Sequence, residues 1–341
     1  MVGLFVFSNN SGIGIQSRRL CNMLKPDRIL AIDSTAFAKN KKQHWEWYDG
    51  FTGYKVQGFP NNHEIRVFLR GLTKVFCIEN PFNFFLLDEA KRLGIKVYIQ
   101  SNYEFCDHLD KNLTLPEKFL MPSHWMVEDM KSRFGEDRVQ YLPPPIDPAE
   151  FKDARDVNLL RATKRRFLHI VGTLAHYDRN GTLLLLEAIK RSKGDYAITI
   201  RSQQELPRGY MINDARVQYV VDDTDDYVSM YKDYDALILP RRYGGLCLPM
   251  IEGLISALPV IMPDISPNNQ ILPKQWLVPA KITGSFQGRV KIDVYSVDVE
   301  LLAKKIDEFS RYDCEKHKLE AFEIGFNNYA ESKLVDSYRA L

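Results

Sequence analysis

Apolar runs of a strand's length alternate with stretches of helical periodicity along the whole chain. Leu4–Phe7, Ile29–Ile32 and Val75–Glu79 are runs of this kind, and polar, turn-forming residues follow each of them. Runs that are apolar on both faces are typical of parallel strands covered by helices on each side. The pattern therefore predicts an α/β protein built on parallel sheets.

The helical stretches can be bounded by their spacing and by their capping residues. They are predicted at Arg18–Leu24, Asn80–Leu93, Met126–Phe134 with Ser123 as N-cap, Thr182–Arg191, Tyr227–Tyr231 behind the acidic run 222–226, and Val299–Phe309, followed by a largely helical tail, Leu319–Leu341.

A proline-rich break divides the chain. Pro143–Asp147 follows a strand predicted at Val139–Leu142, and a second series of strands begins at Arg165. Such a break after the last strand of a domain marks a linker. The length of 341 residues also fits two domains, so we place the boundary near residue 150.

Composition limits the class of protein but does not indicate a binding partner. A net charge of +2 is too small to dictate binding to nucleic acid or to a membrane surface. The cysteines are scattered and odd in number, which favours reduced thiols over disulfides or a zinc site. The first residues are too short for a signal peptide, and no apolar run approaches the ~18 residues of a membrane span. We therefore expect a cytoplasmic protein with no membrane span and no metal site.

The stretch Leu239–Asp264 carries the clearest chemical signal. A buried strand predicted at Ala236–Leu239 leads into two arginines, a Gly-Gly pair and then Pro249, which suits the first turn of a helix. A glycine-containing loop between a parallel strand and a helix directs backbone N–H groups at an anion. The stretch therefore predicts a phosphate-binding loop.

The order of residues here resembles the donor-sugar signature of retaining glycosyltransferases of the GT-B fold, specifically glycosyltransferase family 4. That signature has a glutamate, a Gly-x-Gly-Leu-Pro-like loop, a second glutamate, a helix of small residues and then Pro-Val. The matching residues are Gly245, Leu248, Pro249, Glu252, Pro259 and Val260. Gly244 stands in place of the first glutamate, and Cys247 and Ala257 stand in place of glycines.

The resemblance implies two Rossmann-like domains whose parallel sheets face an interdomain cleft. Residues 1–150 would form the acceptor-side domain, with a C-terminal helix at about 325–341 packed back on it, and residues 151–324 would bind the donor. The family uses the second glutamate on the donor ribose, which assigns that role to Glu252. The donor-binding residues that the resemblance implies are Glu252, Gly244, Gly245, Leu246, Cys247, Leu248, Gly172, Thr173, His176, Arg201 and Val221.

The family's two diphosphate-gripping cations are missing. Thr173 takes the place of the arginine, and Asn180 takes the place of the lysine. A departing diphosphate needs positioned cations or N–H donors where negative charge develops. The neighbouring arginines that could supply this charge are Arg179, Arg201, Arg241 and Arg242.

The first half of the chain offers weaker candidates for the acceptor side. Gly12, Gly14 and Gln16 follow the first strand in a loop that, in the family, lies near the acceptor and the donor phosphate. Glu104 follows the strand Lys96–Gln100, so it is expected at the sheet edge where ligands bind. It could orient or deprotonate an acceptor hydroxyl, or it could be a structural cap.

A segment of lysines followed by aromatic residues runs from Lys39 to Phe51. It fits a lid or an edge hairpin whose aromatics pack inward while the lysines are solvated, and it also fits an acceptor surface formed by Lys41, Lys42, Trp45 and Trp47. On the second interpretation the chain resembles bacteriophage enzymes that glycosylate hydroxymethylated pyrimidines in DNA. Its location would then be the host cytoplasm, and the target base would be flipped out of the duplex.

The function implied is a retaining glycosyltransferase that moves a sugar from a nucleotide-diphosphate donor, expected to be UDP-linked, to an acceptor hydroxyl without a metal or other cofactor. The acceptor remains open between DNA and a glycan, a small molecule or a protein. Because Gly244, Thr173 and Asn180 replace charged residues of the family, a nucleotide-sugar-binding protein without catalysis is the alternative. The sequence does not specify the oligomeric state.

Overall fold

Strands that are apolar along their whole length set the architecture, since a strand buried on both faces needs helices above and below its sheet. The computed structural model describes residues 1–36, 42–160, 165–172, 174, 176–224, 226–311 and 315–341, and the side chain of His176 lies outside this description. Two parallel sheets covered by helices are present, which confirms the α/β class. The chain divides into two compact units, one of Met1–Ile146 with Glu331–Leu341 and one of Asp147–Ala330.

The first unit is built on a seven-stranded parallel sheet in the order β3-β2-β1-β4-β5-β6-β7. Its strands are β1 (Val2–Phe7), β2 (Arg28–Asp33), β3 (Gly53–Gln57), β4 (Lys74–Ile78), β5 (Lys96–Gln100), β6 (Lys118–Met121) and β7 (Val139–Tyr141). Its helices are α1 (Gly12–Leu24), α2 (Asn62–Leu69), α3 (Phe85–Leu93), α4 (Val127–Phe134) and, from the end of the chain, α10 (Glu331–Arg339). The side chain of Tyr338 on α10 is 1% exposed and donates a hydrogen bond to the carbonyl of Pro143 at 3.0 Å. The C-terminal helix thus completes the core of the first unit.

The second unit is built on a six-stranded parallel sheet in the order β10-β9-β8-β11-β12-β13. Its strands are β8 (Arg166–Gly172), β9 (Ala197–Ser202), β10 (Val217–Val221), β11 (Ala236–Ile238), β12 (Val260–Pro263) and β13 (Leu277–Val278). Its helices are α5 (Lys152–Leu160), α6 (Thr182–Arg191), α7 (Leu248–Ile255), α8 (Val299–Arg311) and α9 (Glu315–Tyr329).

An antiparallel hairpin that the sequence pattern does not predict follows β13. Its strands are β14 (Ala280–Gln287) and β15 (Lys291–Val297). Most residues of β14 are exposed, whereas Ile292, Val294 and Val297 on β15 are buried. The hairpin therefore covers part of the second unit with one strand and presents the other to solvent.

Three predicted helix starts are wrong, each for a local reason. α1 begins at Gly12, because the Ser11 side chain accepts a hydrogen bond from the Gly14 amide and caps the helix there. α3 begins at Phe85 after two residues with positive φ, Glu79 and Phe82. Ser123 is not the N-cap of α4, since Met126 at φ 59° precedes the first residue of that helix.

The helix predicted at Tyr227–Tyr231 is also wrong. The structure has only a 3-10 turn there, Ser229–Tyr231. The Asp226 carboxylate accepts a hydrogen bond from the Ser229 amide at 3.3 Å, so the acidic run does cap this shorter element.

A buried ion pair attaches α9 to the second sheet. Lys318 Nζ lies 2.7 Å from Asp235 Oδ1, and the two side chains are 3% and 4% exposed. Asp235 also accepts a hydrogen bond from the backbone amide of Arg166 at the start of β8. Further along α9, Gly325 passes so close to α7 that a Cβ there would lie 2.9 Å from the backbone of Leu254. This packing holds α7, the helix that follows the predicted phosphate-binding loop.

The four cysteines that the structure describes are buried free thiols, and Cys314 lies outside the described residues.

Within the described ranges, no helix has both the length and the apolar character needed to cross a bilayer.

Candidate functional site

The strand order of the second sheet identifies where a ligand is expected. From β8 the chain proceeds outward to β9 and β10, and it then returns to the other side of β8 with β11. Ligands of open α/β sheets bind at the carboxyl ends of the strands where the order reverses in this way. The loop between β8 and α6 and the loop between β11 and α7 both begin at this position.

These two loops are joined to one another. The backbone amide of Arg242 donates a hydrogen bond to the carbonyl of Arg179 at 2.8 Å. Gly181, just before α6, lies so close to Pro240 that a Cβ there would clash with its backbone. A residue without a side chain is therefore required for the close approach of the loops.

The backbone amides of the loop before α7 have no acceptor within the described ranges. Pro249 occupies the first turn of α7, and the N-cap residue Cys247 makes no side-chain capping bond. In the part of the chain that the structure describes, no group accepts a hydrogen bond from the amides of residues 244–248. Amides of this kind at a helix N-terminus favour an anion. The geometry agrees with the predicted phosphate-binding loop.

Two arginines converge on Gly244 in this loop. A Cβ built on Gly244 would clash with Nη2 of Arg179 and would lie 2.8 Å from Nη2 of Arg241. Arg241 is 8% exposed, and its Nε donates to the carbonyl of Tyr243 at 3.0 Å. Its terminal nitrogens have no acceptor among the described residues. The guanidinium of Arg179 lies 5.3 Å from the centre of the Tyr243 ring.

Arg242 has a different environment from Arg241. Its side chain donates to the carbonyl of Tyr295 at 2.9 Å and to the carbonyl of Tyr177 at 2.9 Å, and it reaches Thr283 Oγ1 at 3.4 Å. The amide of Tyr295 in turn donates to the carbonyl of Arg242. Arg242 therefore joins the β14–β15 hairpin to the loop after β8, and its role toward the diphosphate stays a prediction.

Glu252 is buried on α7. It is 4% exposed, and its Oε2 accepts a hydrogen bond from the hydroxyl of Tyr231 at 2.6 Å. Sequence reasoning missed Tyr231 because it treated the residue only as the end of a helix. A carboxylate accepts about four hydrogen bonds, so the bond from Tyr231 orients Glu252 without using its whole accepting capacity.

A polar network fixes the loop between β8 and α6. Asp178 accepts hydrogen bonds from the amides of Thr182 and Leu183 and so caps α6. The Thr182 hydroxyl donates to Nε2 of His169 at 2.9 Å, and Nδ1–H of His169 donates to the carbonyl of Ile238 at 2.7 Å. The N-terminus of α6 is thus capped by Asp178, whereas no side chain of the described residues caps the N-terminus of α7.

The two titratable groups of this network have shifted pKa values. Burial lowers the pKa of His169 from 6.5 to about 4. Burial raises the pKa of Asp178 from 3.8 to about 6 against the opposing effect of its amide hydrogen bonds. The folded protein thus resists protonation of His169 and favours protonation of Asp178, each relative to the unfolded chain.

We expect these shifts to act on stability in opposite directions. As pH falls from 6.5 to 4, the unfolded chain protonates His169 while the folded protein does not, so the free energy of unfolding decreases. As pH falls from 6 to 3.8, the folded protein protonates Asp178 first, so the free energy of unfolding increases. Each effect is on the order of 2–3 kcal/mol.

Denaturant unfolding at pH 7 and at pH 4.5 separates the two effects. On acidification Asp178→Asn should lose more stability than the wild type, and His169→Gln should lose less. Equal pH dependence of all three proteins would contradict this assignment.

The other predicted donor residues that the structure describes lie at the carboxyl ends of β8, β9 and β10. Gly172 ends β8 at φ 63°, and its carbonyl accepts a hydrogen bond from the Gln203 amide at 3.0 Å. Arg201 on β9 forms an ion pair with Asp222 at 3.4 Å. Val221 ends the edge strand β10 and is 43% exposed. Thr173 and the side chain of His176 lie outside the described residues.

Asn180 stands where the resembled family has a lysine. Its side-chain amide donates to the carbonyl of Val171, which fixes the loop after β8. Asn180 therefore brings no charge to this position, and the substitute role of Arg179 beside it stays a prediction.

The predicted phosphate loop of the first unit is part of α1. The backbone of Gly14 lies so close to the carbonyl of Asn9 that a Cβ could not fit, which explains this glycine by packing. Gln16 is 4% exposed and donates to the carbonyl of Gly12. Their proposed contact with a ligand stays a prediction.

Glu104 lies in a 3-10 turn, Tyr103–Phe105, after the carboxyl end of β5. It is 7% exposed, and its two predicted roles stay predictions.

The aromatic residues of the predicted acceptor surface pack against the protein. Trp45 and Trp47 lie on the core beneath α1 and β2. The ammonium of Lys55 is 4.6 Å from the Trp45 ring centre, and the guanidinium of Arg18 is 5.3 Å from that of Trp47. Lys42 is exposed, and Lys41 lies outside the described residues. Inward packing therefore accounts for the tryptophans.

Comparison with solved structures gives likenesses over the whole chain. A glycosyltransferase from Rickettsia africae has a TM-score of 0.69 at 14% identity, covering 99% of this chain and 96% of the other. Sucrose-phosphate synthase from Thermosynechococcus elongatus has a TM-score of 0.69 at 12% identity, covering 99% and 97%. HepE of Anabaena in complex with UDP and glucose has a TM-score of 0.68 at 9% identity, covering 100% and 98%.

These likenesses confirm the predicted fold class, since the neighbours are glycosyltransferases of the GT-B fold. No family model matches the sequence, and no curated protein matches it either. Membership of glycosyltransferase family 4 therefore stays a prediction.

Proposed function

We propose that this protein is a glycosyltransferase that takes its sugar from a UDP-linked donor bound to the second unit. The observation that carries the proposal is the loop of residues 244–248, whose amides lack acceptors in the described chain and whose Gly244 contacts two guanidinium groups. N–H donors and arginines together are the groups that bind a diphosphate. A GT-B neighbour, HepE, is described in complex with UDP and glucose, which supports the same donor class here.

Each part of the donor has a proposed partner. The diphosphate lies against the amides of the loop, with Arg179 and Arg241 compensating its charge. The ribose hydroxyls donate to the Glu252 carboxylate, which Tyr231 holds in place. Asp178 keeps α6 capped and so keeps the adjoining Arg179 at the loop.

The proposed chemistry retains the anomeric configuration. The bond between the anomeric carbon and the diphosphate oxygen breaks as the acceptor hydroxyl oxygen bonds to the same face of that carbon. The proton of the hydroxyl moves to the departing diphosphate oxygen, so no enzyme nucleophile is required. Charge that develops on this oxygen is stabilised by the two arginines and the amides, because they are already positioned before the reaction. We assign no step to a metal ion.

As acceptor we propose a hydroxymethylated pyrimidine in DNA, bound to the first unit. Arg18 lies against Trp47 and Lys55 against Trp45, so two cations share this face of the first unit, which suits contacts with DNA phosphates. Binding to duplex DNA at about 50 mM salt that weakens steeply at higher salt would support this acceptor. Absence of binding at that salt concentration would favour a glycan, a small molecule or a protein.

A nucleotide panel and a hydrolysis assay test the donor proposal. UDP and UDP-sugars should raise the melting temperature more than other nucleoside diphosphates, since a ligand at about 100 times its Kd adds roughly 2.7 kcal/mol. UDP-sugar should also be hydrolysed slowly without an acceptor, at a rate that EDTA leaves unchanged and that Arg241→Ala abolishes. Stabilisation without hydrolysis would favour a binding protein that lacks catalysis, and no stabilisation by any nucleotide would overturn the proposal.

A further inference from the structure

We propose that Gly244 is the residue that makes the arginine pair of the donor site possible, so that the chain has exchanged a carboxylate of the loop for two guanidinium groups. The inference rests on the proposed donor site and adds a positioning residue to it. On this account Gly244 is required by the donor site, whereas in the sequence it is only a position where the resembled family has a glutamate.

The first support is the space around Gly244. The position of its missing Cβ is taken by Nη2 of Arg179 and lies 2.8 Å from Nη2 of Arg241. Real Cβ atoms do not approach other heavy atoms so closely, so any side chain at 244 would displace at least one arginine. Arg241 is confined on the other side as well, because it is 8% exposed and its Nε is bonded to the carbonyl of Tyr243.

The second support is the backbone of Gly244. Its φ is +100°, a value that L-residues with a side chain rarely adopt. Arg241 and Gly244 are separated by only two residues, so this turn of the backbone directs the loop back over the Arg241 guanidinium. A residue that forced φ to a negative value would re-aim the amides that follow it.

Charge gives the third support. Two guanidinium groups that meet at one backbone position repel each other, and an anion with more than one charge offsets that repulsion. A glutamate at 244 would place its own carboxylate among the arginines and would compete with the diphosphate. A glutamate at this position would therefore weaken the binding of a diphosphate by this arginine pair.

The test is a pair of substitutions measured by UDP affinity. Gly244→Ala and Arg179→Ala should each weaken UDP binding by about tenfold or more, because each removes charge-assisted hydrogen bonds to the diphosphate. The double variant should be no more than a few-fold weaker than either single variant, since the new Cβ acts first on Arg179, whose Nη2 is the atom nearest to it. Gly244→Glu should also weaken binding, although it restores the residue of the resembled signature.

Gly94→Ala is the matched control. Gly94 also has a positive φ, +71°, and among the described residues no atom lies within 4 Å of its Cβ position. The control thus carries the backbone strain without the arginines, and its UDP affinity should equal that of the wild type. Wild-type UDP affinity in Gly244→Ala, or losses that multiply in the double variant, would overturn the inference.

A second measurement serves if Gly244→Ala does not fold. Arg179→Ala and Arg241→Ala both keep Gly244, and each should weaken UDP binding while binding of uridine, which has no phosphate, stays unchanged. Equal losses for UDP and uridine would show that the arginines do not act as a diphosphate pair. If the wild type binds neither UDP nor pyrophosphate, the proposed donor site is wrong. If the wild type and Gly244→Ala bind UDP with equal affinity, only the proposed role of Gly244 is wrong.

Discussion

Replacing Glu252 by alanine should weaken UDP binding by roughly 10–100-fold, the effect expected for loss of a charged hydrogen-bond acceptor. The loss should fall on the ribose, so binding of inorganic pyrophosphate should stay unchanged. The variant should also unfold more easily by about 1–3 kcal/mol, because the buried Tyr231 hydroxyl loses an acceptor. Calorimetric titration with UDP and with pyrophosphate, together with denaturant unfolding, measures the three quantities.

Tyr231→Phe separates the two roles of this hydrogen bond. The substitution keeps the Glu252 carboxylate, so UDP affinity should stay within about threefold of the wild type while stability falls by about 1 kcal/mol. A Glu252→Ala protein that binds UDP normally would show that the carboxylate does not contact the ribose.

Replacing Lys318 by alanine should cost about 3–5 kcal/mol of unfolding free energy, the largest stability effect that we expect from any single substitution. The reason is that Asp235 would remain charged and buried after losing its ion-pair partner. Lys190→Ala is the control, because the Lys190–Glu187 pair is about half exposed and should contribute less than about 1 kcal/mol.

A compensating pair of substitutions tests the mechanism of that loss. In Lys318→Met/Asp235→Asn both charges are absent, and the asparagine oxygen can still accept from the Arg166 amide. Most of the lost stability should therefore return. A loss in Lys318→Ala no larger than that in Lys190→Ala would contradict the account of a buried pair that anchors α9.

The strands could be predicted because their physical cause is visible in the sequence. A run such as Val260–Met262 is apolar on both faces, and only a covered parallel sheet buries both faces of a strand. α6 was predicted at its observed limits, Thr182–Arg191, because Gly181 precedes it and charged residues end it. The hairpin after β13 was missed because β14 is polar and exposed and has no alternation to mark it.

Two adjacent arginines illustrate a feature that cannot be predicted from the sequence. Arg241 and Arg242 have the same side chain at neighbouring positions, yet the first lies beside Gly244 and the second joins the hairpin to Tyr177. The difference depends on which way each side chain leaves the loop, and that is set by contacts with the hairpin distant in the chain. Gly244 itself could be identified as a departure from the resembled signature, but its contact with the arginines is visible only in three dimensions.

The most direct test of the donor site is a crystal structure of the protein with UDP. The account predicts a diphosphate within hydrogen-bond distance of the amides in the loop 244–248, with Arg179 and Arg241 on its oxygens and the ribose on Glu252. UDP bound elsewhere, or a loop filled by side chains while UDP occupies another site, would contradict it.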